Sequence, residues 1–109
     1  MKRYLVETKP HRGNPGAQRI YKFPNGWGAS VVPEYKLSTS NTVQFESKPV
    51  TGLWEVAILD ADGKLCYDTA ITDDVVRNLN DPEVDNLLGQ VSRLLVDGTS
   101  TDLSLRLPL

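Results

Sequence analysis

One histidine, His11, one cysteine, Cys66, and the acidic pairs Asp60/Asp62 and Asp73-Asp74 are the residues through which this 109-residue chain could do chemistry. A zinc site needs clustered thiolates and imidazoles, and His11 and Cys66 lie 55 residues apart. Asp60-Ala61-Asp62-Gly63 begins like a calcium loop but lacks glycine at the sixth position and glutamate at the twelfth, so it reads as a tight turn. Gly28-Ala29-Ser30-Val31-Val32 lacks the closing glycine of a nucleophile elbow. His11 sits among prolines and glycines, a poor place for a positioned base, and Cys66 reads as packing. Gly13-Asn14-Pro15-Gly16 is followed by neither the lysine nor the helix of a phosphate loop. The acidic pairs are explained by a turn and a helix start. The sequence therefore predicts no catalytic residues, no metal and no cofactor.

The charge layout bears on partners. Residues 1–54 carry a net charge of +5 and residues 55–109 a net charge of −7, within a total of −2. Such a split gives either a dipolar surface or two halves suited to oppositely charged partners. Nucleic-acid binding would draw on Lys2, Arg3, Lys9, Arg12, Arg19 and Lys22, beside the hairpin aromatics Tyr21, Phe23 and Trp27. A sequence pI near 5.3 argues against it. A protein partner is favoured instead. Trp27 stands at a hairpin tip, where a large ring is an interface anchor. Trp27, Asn25, Tyr35 and Tyr21 form the candidate contact. The competing reading folds Trp27 back onto the sheet.

These residues need elements to hold them. At 12.1 kDa the chain should bury about two thirds of its unfolded surface, enough for one domain. The Met1–Glu7 segment has no apolar stretch long enough for a signal peptide, no run reaches membrane-span length, and a lone cysteine suits a reducing compartment. A cytoplasmic protein is expected. Residues 1–17 read as a flexible basic arm, because Lys9–Gly16 holds two prolines and two glycines. Residues 18–98 read as the single folded domain, and 99–109 as a tail or edge strand.

Within the domain, Arg19–Phe23 and Ala29–Val32 predict a hairpin about a Phe23-Pro24-Asn25-Gly26 turn, stopped by Pro33. Thr42–Glu46 predicts a further strand. Leu53–Leu59 is apolar on both faces apart from Glu55, as in a central strand, and should pair with Lys64–Asp68. Thr72 and Asp73-Asp74 predict a short helix with Val75, Val76 and Leu79 inward. Asn80-Asp81-Pro82-Glu83 starts a second helix over 82–96, with Val84, Leu87, Leu88, Val91, Leu94 and Leu95 on one stripe. Leu103, Leu105, Leu107 and Leu109 alternate in strand period, ending beside Pro108. The expected fold is α+β: a mostly antiparallel sheet of four or five strands with two C-terminal helices packed on one face. The tail or an open sheet edge offers a route to a homodimer.

Three segments, Tyr21–Val32, Gly52–Leu59 and Tyr67–Val75, together resemble a small uncharacterised family of bacteriophage- and prophage-encoded proteins. The resemblance spans about residues 21–95, with Ala70 where that group has proline, and leaves out the basic arm and the leucine tail. It brings no catalytic residues. It implies a phage accessory protein in the bacterial cytoplasm, binding a host or phage protein and modulating host physiology or defence.

Overall fold

The computed structural model describes residues 2–39, 45–72 and 75–99. A single 3-10 turn, Lys2–Tyr4, precedes β1 (Leu5–His11), β2 (Asn14–Lys22), β3 (Gly28–Thr39), β4 (Phe45–Leu59), β5 (Val76–Leu79) and α1 (Asp81–Val91). The strands form one antiparallel sheet in the order β1-β2-β3-β4-β5. The fold is α+β, a five-stranded meander with one C-terminal helix among the described residues.

The second predicted helix is the one present. Asn80 accepts from the Glu83 N–H at 2.9 Å while the Glu83 carboxylate accepts from the Asn80 N–H at 3.0 Å. This capping box satisfies two orphan donors of the first turn, and Pro82 preorganises it. Val84, Leu87, Leu88 and Val91 then pack on Tyr21, Ala29, Val31, Val56 and Ile58 from the facing sheet. The helix stops at Val91 rather than running to residue 96. Leu94 still reaches the core, but the helical phase is lost beyond it, and Leu95 is 46% exposed. The Asp97-Gly98 stop signal therefore acts on a loop.

The first predicted helix is a strand. Val76 and Leu79 pair with Val56 and Trp54 as β5 and pack, half-buried, against the core. So short a segment cannot sustain an isolated helix, whereas Val76 and Leu79 laid along β4 gain ladder bonds and burial at once. Asn78 takes a positive φ of 57° there, and its N–H donates to Glu34. The Asp73-Asp74 signal lies outside the described residues, as do Thr42–Gln44 of the predicted third strand.

The stretch read as a loop arm is also paired. β1 and β2 form a hairpin about Arg12-Gly13, with φ values of 49° and 78°. Two consecutive positive values match the turn whose twist suits paired strands. Pro10 lies on the sheet edge, where a missing N–H costs no ladder bond. Pro33 does not stop β3 either. It sits opposite Trp54, and the next pair is Tyr35 with Pro49, so β4 carries three extra residues in a bulge containing Gly52 at φ 80°. The predicted Leu53–Leu59 hairpin closes through Asp60–Gly63, but its return is short: the Asp60 N–H to Lys64 carbonyl bond, the bridge of Leu59 to Leu65, and the Cys66 N–H to Ile58 carbonyl bond.

Gly28 marks the tightest backbone approach. A Cβ there would come within 2.5 Å of the Tyr21 carbonyl oxygen. Gly28→Ala should therefore force β2 and β3 apart and cost about 2 kcal/mol. A thermal melt would read this as a fall in Tm of roughly 10 °C.

Candidate functional site

The Asn25–Trp27 turn, picked out by sequence as a partner contact, is built into the interior. Trp27 is 7% exposed, and its indole N–H donates to the Leu95 carbonyl at 2.8 Å. The Asn25 amide donates to the carbonyls of Val91 at 2.9 Å and Leu94 at 3.0 Å, while its oxygen accepts from the Trp27 N–H. A helix end leaves carbonyls without intrahelical donors. This turn supplies them from a position nearly 70 residues away in sequence. Tyr21 is a core residue. Tyr35 belongs to β3, and its side chain is outside the described residues. The physical reason for the correction is that an indole and an amide at this tip are the donors the end of α1 needs, so they are not presented to a partner.

The basic set does not converge. The Arg3 guanidinium donates to its neighbour Tyr4 at 2.8 Å and stacks on that ring. Arg19 lies 4.6 Å from the Trp54 ring centroid, on the helix side of the sheet. Lys9 and Lys22 occupy the alternate positions, on the other side, and Lys9 lies 3.9 Å from Glu7. Arg12 is in the β1–β2 turn. Lys2 lies in the opening 3-10 turn. A continuous phosphate track is not formed by the described side chains among these.

The residues weighed for chemistry have structural duties. One Asp60 carboxylate oxygen accepts from the N–H groups of Asp62 and Lys64 and closes the turn. The Cys66 thiol points at the Asp68 carbonyl, 3.9 Å away. Among the described residues no three His, Cys, Asp or Glu side chains gather as metal ligands. The Trp54 indole N–H donates to Asp81 at 2.6 Å, fixing the start of α1 beneath the Arg19 guanidinium. Beyond the helix, the Thr99 hydroxyl and then its N–H hold the Asp97 carboxyl below its ordinary pKa. No helix of the described residues is long and apolar enough to cross a membrane.

A surface that the sequence reading did not single out lies on the sheet face away from α1. Alternation puts Gln18, Ile20 and Lys22 of β2, Ser30 and Val32 of β3, and Glu55, Ala57 and Leu59 of β4 on that side. Gln18 donates to the Ser30 hydroxyl at 2.8 Å, which satisfies the most buried polar group there. Past the Asp60 turn, Leu65 and Tyr67 lean over the same face, 51% and 49% exposed. Together they border a shallow depression of about 340 Å³ with Val32, Ala57, Val75 and Arg77. Arg77 and Glu55, 3.7 Å apart, rim it. The signal was present in the strand Leu53–Leu59. Its second apolar face reads as buried within one chain, but here only the first is covered by α1. The arrangement can seat an apolar surface with a polar rim, which is the anatomy of a protein contact. Comparison of the chain with family models, with curated proteins and with solved structures gave no match.

Proposed function

We propose that this chain is a non-enzymatic accessory protein, of bacteriophage or prophage origin, that acts in the bacterial cytoplasm by binding a host or phage protein. Its contact surface is the sheet face opposite α1. The observation that carries this reading is the pair Leu65 and Tyr67, half-exposed above a floor of Val32 and Ala57 interspersed with Gln18 and Ser30 that α1 does not reach. Exposed apolar area rimmed by charge is the usual mark of an interaction site. The sheet edges are poorer candidates. β1 presents Glu7, Lys9 and Pro10 between two register shifts, and β5 is four residues long with Asn78 in the left-handed region. Such edges resist strand addition.

The test is affinity capture from bacterial lysate with the wild-type chain and with a Leu65→Ser/Tyr67→Ser variant. A protein recovered by the first and lost by the second, with far-UV circular dichroism unchanged, is the expected result. Equal recovery by both, or recovery of nothing under mild salt, overturns the assignment of this face.

A further inference from the structure

Asn25-Gly26 is the single Asn-Gly pair in the chain. In an open peptide such a pair deamidates readily, because glycine puts no side chain between its amide nitrogen and the neighbouring carboxamide carbon. Asparagine counts among the thermolabile residues for this reason. Here the fold demands both residues. Gly26 takes a φ of 91°, a value that glycine adopts at no steric cost. Asn25 supplies the amide hydrogens that the Val91 and Leu94 carbonyls accept, at 2.9 and 3.0 Å. A labile pair therefore sits where the end of α1 is fastened to the β2–β3 turn.

The closed turn holds this pair unreactive. The Gly26 nitrogen is the nucleophile once its proton is lost, and its N–H donates to the Phe23 carbonyl at 3.0 Å. The half-buried Asn25 carboxamide is held at both ends, its nitrogen by the two carbonyls and its oxygen by the Trp27 N–H at 3.1 Å. With carbonyls on one side and an N–H on the other, only one orientation of the amide fits. The group that must leave is thus the donor in two of the three bonds.

We propose that Asn25 is a deamidation site sealed by the fold, and that its conversion is a one-way switch that releases the end of α1. The only co-reactant is water. The deprotonated Gly26 nitrogen forms a bond to the Asn25 Cγ. The Cγ–Nδ2 bond breaks, and ammonia leaves after taking up a proton. Water then opens the succinimide ring to aspartate or isoaspartate, with no change of oxidation state. The product reverses the polarity of the site. A carboxylate still accepts from the Trp27 N–H, but it has no hydrogen for the Val91 and Leu94 carbonyls and sets negative charge against their oxygens. Asp60 and Asp62 line the same shallow depression as Asn25 and add to that charge. An isoaspartate also lengthens the backbone of the turn. A chain that has opened and converted therefore cannot close as before. This switch is separate from the Leu65/Tyr67 face and needs no partner.

Peptide-mapping mass spectrometry of the full chain, held in mildly alkaline buffer, tests it. Amide-to-acid conversion at Asn25 should run at least about tenfold slower in the native chain than in urea, the factor that an opening cost of about 1.4 kcal/mol gives. Trp27→Phe lacks the indole bond to the Leu95 carbonyl and should convert faster than wild type under native conditions. Asn25→Asp stands in for the product, and at neutral pH its Tm should lie about 5 °C or more below wild type. Facing carbonyl oxygens raises the pKa of that carboxyl in the folded chain, so the folded form binds its proton more tightly. The deficit should shrink as the pH falls through that raised pKa, whereas the deficit of Asn25→Ala should not change. Should Asn25→Asp not fold at neutral pH, the conversion rates decide alone. Conversion as fast in the native chain as in urea, no acceleration in Trp27→Phe, or an Asn25→Asp chain as stable as wild type at neutral pH overturns the proposal.

Discussion

Trp27→Ala should remove about 4 kcal/mol of folding stability, the upper range for deleting a buried aromatic ring. The ring is nearly sealed and packs within the core cluster. Its N–H meets the Leu95 carbonyl just past the end of α1. Alanine would lose the packing and one of the two hydrogen bonds that the Leu95 carbonyl accepts, leaving it the Gly98 N–H at 2.9 Å. Small domains hold only about 5–15 kcal/mol in total, so a large part of the reserve would go. Trp27→Phe separates the two contributions. It keeps most of the apolar bulk but donates nothing, and should cost about 1–2 kcal/mol for the lost hydrogen bond and some packing. Urea unfolding of the two variants measures both. If Trp27→Ala stayed within about 1 kcal/mol of wild type, the ring would be free to serve a partner, as its place at a turn first suggested.

That contrast shows which features could be read from sequence. The Phe23-Pro24-Asn25-Gly26 turn was legible because its chemistry is local: the Phe23 N–H meets the Trp27 carbonyl at 2.8 Å and the Gly26 N–H meets the Phe23 carbonyl at 3.0 Å. The start of α1 was legible for the same reason, since Asn80 and Glu83 cap each other across three residues. The stripe Val84, Leu87, Leu88 and Val91 carries its own period. Features that depend on distant partners were not legible. Val76–Leu79 becomes a strand because β4 offers a free edge, and Pro10 is tolerated because β1 is itself an edge. The duty of Trp27 and Asn25 depends on where α1 ends, which no local pattern records. The sheet face opposite α1 is assembled from β2, β3 and β4, and its make-up depends on how those strands pair. Tertiary context, rather than propensity, decided each of these.

Leu88→Ala is the second large effect expected, about 3–4 kcal/mol. Leu88 is 1% exposed at the middle of the only helix among the described residues, facing Val31, Val56 and Ile58 within the core cluster. α1 has 11 residues, too few to stand alone in water, so its structure depends on that packing and on its two ends. Each end is held by a tryptophan: Trp54 to Asp81 at the start, Trp27 to the Leu95 carbonyl just past the finish. A cavity beneath Leu88 weakens the seat between these two anchors. The indoles then report on the event from both ends, and their fluorescence should change together with the far-UV circular dichroism in one cooperative transition. Leu95→Ala is the internal control. A helix continued to residue 96 would bury Leu95 on the same stripe, but the chain has left the helix by then and the side chain is half in water. Its truncation should cost less than about 1 kcal/mol. Equal losses at the two leucines would mean that α1 extends to Leu95, and that the Asn25 amide does not bond the carbonyls at its end.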